Sequence, residues 1–216
     1  MHCKWYVCDV YKKDLTELSY AQLEAVALLH DRHYIHRNIK PSNFTIWAGV
    51  DGITPAIFLI DFGLAHQFRN PTTYLHIPYT TQQGIIGTLL FVSINGQQGH
   101  IQLRYDDLES LAYTITFLVH GNLPWTATSI CEDHDAVLQK KVSVMAAELC
   151  QGLPPLFSNF ITYVHSLGFN KKLDYQHLHT ILLQCLETKI DQHSMVLPST
   201  PPHCSANHTP SHSDHM

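Results

Sequence analysis

The chain has 216 residues, 45% of them hydrophobic, and a formal net charge of −5. That supplies one domain with a sizeable core, and its acidic balance excludes bulk nucleic-acid or membrane-surface binding by charge alone. No apolar run reaches the roughly 18 residues of a membrane span, and the start, MHCKWYVCDV, is too short and polar for a signal peptide.

Residues 1–13 read as an irregular or remnant N-terminal segment. A helix is predicted over 14–34, where Leu15, Leu18, Ala21, Ala25 and Leu28 recur three or four apart on one face. Leu23, Val26 and Leu29 widen that face, so the helix is expected to be buried on most sides. YIHRNIKPSNF (34–44) follows, and Pro41 stops any helix from continuing. FTIWAG (44–49) and AIFLID (56–61) read as strands, joined through GVDGITP into a hairpin. A long polar loop then runs to about Gly87; such loops inside compact domains tend to be functional. LESLAYTITFLV (108–119) is apolar nearly all round and marks a central helix, ended by Gly121, Pro124 and Trp125. Further helical segments are expected at about 133–150, 155–167 and 175–187. The fold class is mainly α with a small β-hairpin, as one unit over 14–195.

The tail, 196–216, is rich in Pro, Ser and His and is expected to be disordered. Its His203, His208, His212 and His215 are irregularly spaced, which favours a plain tail over a metal site. Six Cys without a CxxC pair read as reduced thiols of a cytoplasmic or nuclear protein.

One stretch carries chemistry. Arg37 and Lys40 cluster with Asn38 and Asn43, with no carboxylate among them. Asn43 and Asp61 lie at opposite ends of the predicted hairpin, so their oxygens can converge on one hard cation such as Mg²⁺. Lys40 offers a mobile charge for a phosphate, and Gly63 allows a sharp turn after Asp61.

His36-Arg37-Asn38-Ile39-Lys40-Pro41-Ser42-Asn43-Phe44 resembles the catalytic loop of protein kinases, and Asp61-Phe62-Gly63 their metal-binding motif. Ser93-Ile94-Asn95 stands where most kinases carry Ala-Pro-Glu, after His76-Ile77-Pro78-Tyr79 and Gly87-Thr88. With Asp106-Asp107-Leu108-Glu109-Ser110-Leu111, Leu123-Pro124-Trp125 and Leu149-Cys150-Gln151-Gly152-Leu153-Pro154, the series is similar to the casein kinase 1 family over roughly 14–190.

The resemblance implies a protein-kinase-like fold, in its C-terminal lobe, and transfer of the ATP γ-phosphate to Ser or Thr hydroxyls of a protein substrate. It implies that Asn43 and Asp61 ligate Mg²⁺ on ATP, and that Lys40 contacts the transferred phosphate. Thr88 would shape the loop that seats the substrate hydroxyl, and Asp107 would hold the catalytic loop through its backbone. Arg37 would brace the activation segment, and His36 would pack the loop.

Four features depart from the pattern. Asn38 replaces the Asp that accepts the substrate proton. No GxGxxG loop or Val-Ala-Ile-Lys strand is found, so a complete N-terminal lobe is not expected. Leu89-Leu90 and TATSICEDHD stand where the family places an anion site. His165 and Gly168 replace late-helix Arg residues. The expected function is a casein kinase 1-like serine/threonine kinase with impaired catalysis. The alternative is a pseudokinase fragment acting as a protein-binding module.

Overall fold

A computed structural model describes residues 15–48, 55–78, 81, 84–131, 133–168 and 173–194. Segments 1–13 and 196–216, with the expectations placed on them, lie outside the described residues. Most of the turn expected between the hairpin strands also lies outside them.

The first helix, α1, covers Leu15–Asp31. It ends before the expected residue 34. His33 takes a left-handed φ of +70°, and Tyr34–Ile35 then runs extended as β1. The inward face is also rotated from the expected one. Leu23 and Val26 are fully buried beside Gln22 and His30, whereas Leu28 is 63% exposed. A helix packed on several sides has no single stripe for spacing alone to locate, and α1 meets β3 (Pro55–Leu59) as well as two later helices.

The expected hairpin pairs β2 (Phe44–Ala48) antiparallel with β3, in the register Phe44 to Leu59. A second antiparallel pair joins β1 to β4 (His66–Gln67). Two-residue strands carry no periodicity, so this pair was not readable as strand, and the single expected hairpin becomes two small sheets.

Short α2 (Ile94–Gln97) leads to the central helix α3 (Arg104–His120). Every residue of α3 from Asp106 to Thr116 is buried. Its first turn is capped by Asp106, whose carboxylate accepts from the Leu103 amide at 2.6 Å. It stops at Gly121, where φ is +74° and the amide closes on Phe117 O at 2.7 Å.

Around α3 stand α4 (Thr126–Ile130), α5 (His134–Ser143), α6 (Ala146–Leu149), α7 (Phe157–His165) and α8 (Tyr175–Ser194). The helix expected over 133–150 is broken. Val144 turns extended and packs on the core, while Met145 stays 70% exposed. Helix α7 is shorter than the expected 155–167, and α8 runs past 187 to Ser194.

The core joins Leu23 and Val26 of α1, Leu108, Leu111 and Tyr113 of α3, Phe160 and Ile161 of α7, and Leu178 and Leu182 of α8. Each such large apolar side chain contributes about 1.5–3 kcal/mol by leaving water. The result is a helical base with two small sheets, and the charged loop lies between their strands β1 and β2.

Candidate active site

The loop from His36 to Asn43 is fixed from below by one carboxylate. Asp107, 1% exposed near the start of α3, accepts the backbone amides of His36 at 2.6 Å and Arg37 at 2.8 Å. Its Oδ2 also takes the Nε2–H of His30 from α1, at 2.9 Å. The Tyr175 hydroxyl of α8 closes the chain on His30 Nδ1. Side chains of three helices therefore form one hydrogen-bonded chain that ends on a buried carboxylate, and a carboxylate with several donors is strongly held in a dry interior.

That grip holds a strained residue. Arg37 has φ +63°, a left-handed conformation that costs a non-glycine residue about 1 kcal/mol or more. Its Nε donates to Leu64 O at 2.7 Å, which ties the loop to the segment after Asp61. Burial lowers the Arg37 pKa from its ordinary value, and Asp107 opposes the shift. His66 nearby is pushed down by burial and then by the Arg37 charge. His36 is fully buried; its ring bonds Ile60 O at 3.0 Å and meets the Phe62 ring edge-on.

The hairpin brings the oxygen donors together. Phe44 faces Leu59, and the Ile60 amide donates to Asn43 O at 2.9 Å, so Asn43 and Asp61 flank the same end of the ladder. The Asn43 side-chain NH₂ donates to Asn38 O at 2.8 Å, which leaves its Oδ1 as the end available to a cation. The sharp turn expected at Gly63 is made instead by Asp61, at φ +66°, with its carboxylate exposed. A Cβ at Gly63 would stand 3.4 Å from Asp61 Oδ1, so glycine keeps the space beside that oxygen open.

One carboxylate and one amide oxygen suit Mg²⁺, which takes its remaining ligands from phosphates and water. Among the described residues no group of three or more His, Cys, Asp or Glu is arranged for a metal.

The front of the loop carries a second set of bonds. Thr88 Oγ1 donates to Asn38 Oδ1 at 2.9 Å and accepts from Lys40 Nζ at 3.3 Å. All three residues are half-buried. Thr88 reaches them because Gly87, at φ +111°, lets its chain press on the loop; a Cβ there would lie 2.6 Å from Arg37 O.

A family model for the protein kinase domain matches residues 8–189. The chain is 36% identical over 180 residues to a probable casein kinase I homolog of Encephalitozoon cuniculi, covering 82% of this chain and 58% of that protein. It is 35% identical over 172 residues to casein kinase I homolog 2 of Schizosaccharomyces pombe, covering 78% and 40%. The chain belongs to the protein kinase family, in its casein kinase 1 branch. It spans about half the length of these relatives. Protein kinases of this kind use ATP and Mg²⁺ and act on protein hydroxyls. No described helix of this kinase-family chain is long and apolar enough to cross a membrane.

The structure gathers Asn38, Lys40, Asn43, Asp61 and Thr88 around one loop and puts His36, Arg37 and Asp107 behind it. Three further residues belong to the arrangement. His30 holds Asp107 from 77 positions away, and no local signal marks it. Gly87 was visible as part of a Gly-Thr pair, but not as the point of close approach. Lys141, 3% exposed, donates to Leu89 O at 2.9 Å and Val92 O at 2.6 Å, just after Thr88.

Proposed function

We propose that this chain is a serine/threonine kinase of casein kinase 1 type whose phosphoryl transfer is slowed at the acceptor step. Asn43 and Asp61 would hold Mg²⁺, and Lys40 would face the transferred phosphate. Mg-ATP, when bound, supplies the electrophilic phosphoryl group and neutralises its charge. The substrate hydroxyl would lie beside Asn38, Lys40 and Thr88.

The observation that carries the reading is the bond between Asn38 Oδ1 and the Thr88 hydroxyl. An amide oxygen keeps the hydrogen bond that a carboxylate would make and so preserves the shape of the site. It cannot take the substrate proton at neutral pH. General-base help is worth roughly 10²–10⁴-fold, whereas positioning and charge neutralisation carry most of phosphoryl transfer. Residual slow transfer is therefore the expected state.

Mg-ATP binding tests this reading first. ATP with Mg²⁺ raises the melting temperature, and neither does so alone, because the Asn43–Asp61 pair needs phosphate oxygens to complete the cation's shell. Asp61→Asn abolishes the shift. A stabilisation that Asp61→Asn leaves intact would contradict the assignment. A second reading, a protein-binding module without catalysis, draws on the exposed Phe58, Ile60 and Phe62 along and beyond β3. It gains ground if Mg-ATP produces no shift.

A further inference from the structure

Lys141 is a buried amine to which the phosphoryl-transfer reading assigns no task. It lies on α5, 3% exposed, and among the described residues it makes no ion pair. Its ammonium points at the Tyr113 and Trp125 rings, 5.6 and 5.5 Å from their centres. A buried charge is costly, and an apolar chain of the same volume would fill this space without that cost.

What an apolar chain could not do is grip the backbone. The segment after Thr88 is a tight turn: the amides of Phe91 and Val92 both bond Thr88 O, at 2.8 and 2.9 Å. The carbonyls of Leu89, Leu90 and Val92 face the interior of the fold. Lys141 Nζ takes the first and third, and Trp125 Nε1 takes the second at 2.8 Å. Lys141 and Trp125 therefore take three inward-facing carbonyls within four residues, immediately after the residue that bonds Asn38 and Lys40. The neighbouring Ser93 and Ile94 are tied down separately. Ser93 Oγ donates to Asp106 at 2.6 Å, and the Ile94 amide donates to Glu109 at 2.9 Å.

We propose that Lys141 is a positioning residue for the acceptor site: from inside the fold it grips the turn after Thr88 and sets where the Thr88 hydroxyl lies between Asn38 and Lys40. This rests on reading the Asn38–Lys40–Thr88 edge as the place where a substrate hydroxyl is seated.

The test is amide hydrogen exchange, with binding of Mg-ATP and of a synthetic Ser-containing peptide measured alongside. In Lys141→Met, which keeps volume and loses both hydrogen bonds, the Phe91 and Val92 amides exchange about tenfold faster or more. The amides of α3 keep their protection. Lys141→Arg, which keeps the donors, restores slow exchange. Peptide affinity falls in Lys141→Met while Mg-ATP affinity stays, a split that general loosening would not give. Unchanged exchange at Phe91 and Val92, or equal acceleration throughout α3, overturns the proposal. If Lys141→Met does not fold, Lys141→Gln, whose neutral NH₂ sits on a shorter side chain, replaces it; exchange there accelerates about threefold, and an unchanged rate overturns the proposal equally. If the wild-type chain binds neither peptide nor Mg-ATP while exchange responds as described, the acceptor-site reading fails and the grip itself stands.

Discussion

The two faces of the loop at 36–43 are held in different ways. Behind it, Asp107 binds two backbone amides and His30, all at the junction of α1, α3 and α8 and shielded from water. In front, Asn38, Lys40 and Thr88 share two side-chain bonds and are half open to solvent. The rear bonds join backbone to a buried charge, and losing one strands a group in the dry interior. The front bonds can be traded for bonds to water or a substrate. The frame therefore rests on the rear residues and the proposed chemistry on the front ones, so an amide at position 38 leaves the frame undisturbed.

Substitutions on the two faces should differ accordingly. Asp107→Ala strands two amides and the His30 ring; it should cost about 3–5 kcal/mol in urea unfolding, or prevent folding outright. Gly87→Ala attacks the line where the faces meet. With φ at +111° and Arg37 O 2.6 Å from the new Cβ, it should cost about 2 kcal/mol and move Thr88 away from Asn38. Thr88→Ala removes only front bonds and should cost about 1 kcal/mol or less. A cost for Thr88→Ala as large as that for Asp107→Ala would erase the contrast.

Proton linkage sharpens the picture on the interior side. Burial lowers Lys141 from its ordinary 10.5 to about 7, with Glu109 opposing. The groups facing it are Glu109 and Tyr113 on α3 and the Trp125 ring, with His165 of α7 at 3.6 Å from Glu109. Above pH 7 the folded chain holds fewer protons here than the unfolded chain, so the Lys141 contribution makes stability rise with pH. Cys150, pushed up to about 12 by burial and then by Cys185, works in the opposite direction above pH 9. Urea titrations between about pH 7 and 9 should therefore show a rising contribution that Lys141→Met removes.

Much of the site was legible because its residues lie in short runs. YIHRNIKPSNF and Asp61-Phe62-Gly63 name their chemistry locally, and the hairpin between them follows from alternation and turn residues. What was not legible depends on contacts across the chain. Leu23 and Val26 of α1 are buried as expected, but Leu28, which the spacing also placed inward, is exposed, because the neighbours packed around that helix decide which side is covered. His30 and Asp107 are 77 residues apart, and no pattern pairs them. Lys141 is one of two adjacent lysines, and only the break at Val144 and the carbonyls of the Thr88 turn explain why it points inward. The left-handed φ of Asp61 itself, ahead of the turn expected at Gly63, had no local signal; a short polar side chain tolerates that conformation.

The central claim is that the Asp107 frame behind the loop is in place and that, of the departures from the kinase pattern, the amide at Asn38 is the one that slows the proposed transfer. Phosphate transfer from Mg-ATP to a Ser-containing peptide, compared between the wild-type chain and Asn38→Asp, tests it most directly. Transfer should rise by roughly 10²–10⁴-fold in Asn38→Asp, with Mg-ATP affinity unchanged. Equal rates in the two proteins, with Mg-ATP bound by both, would contradict it.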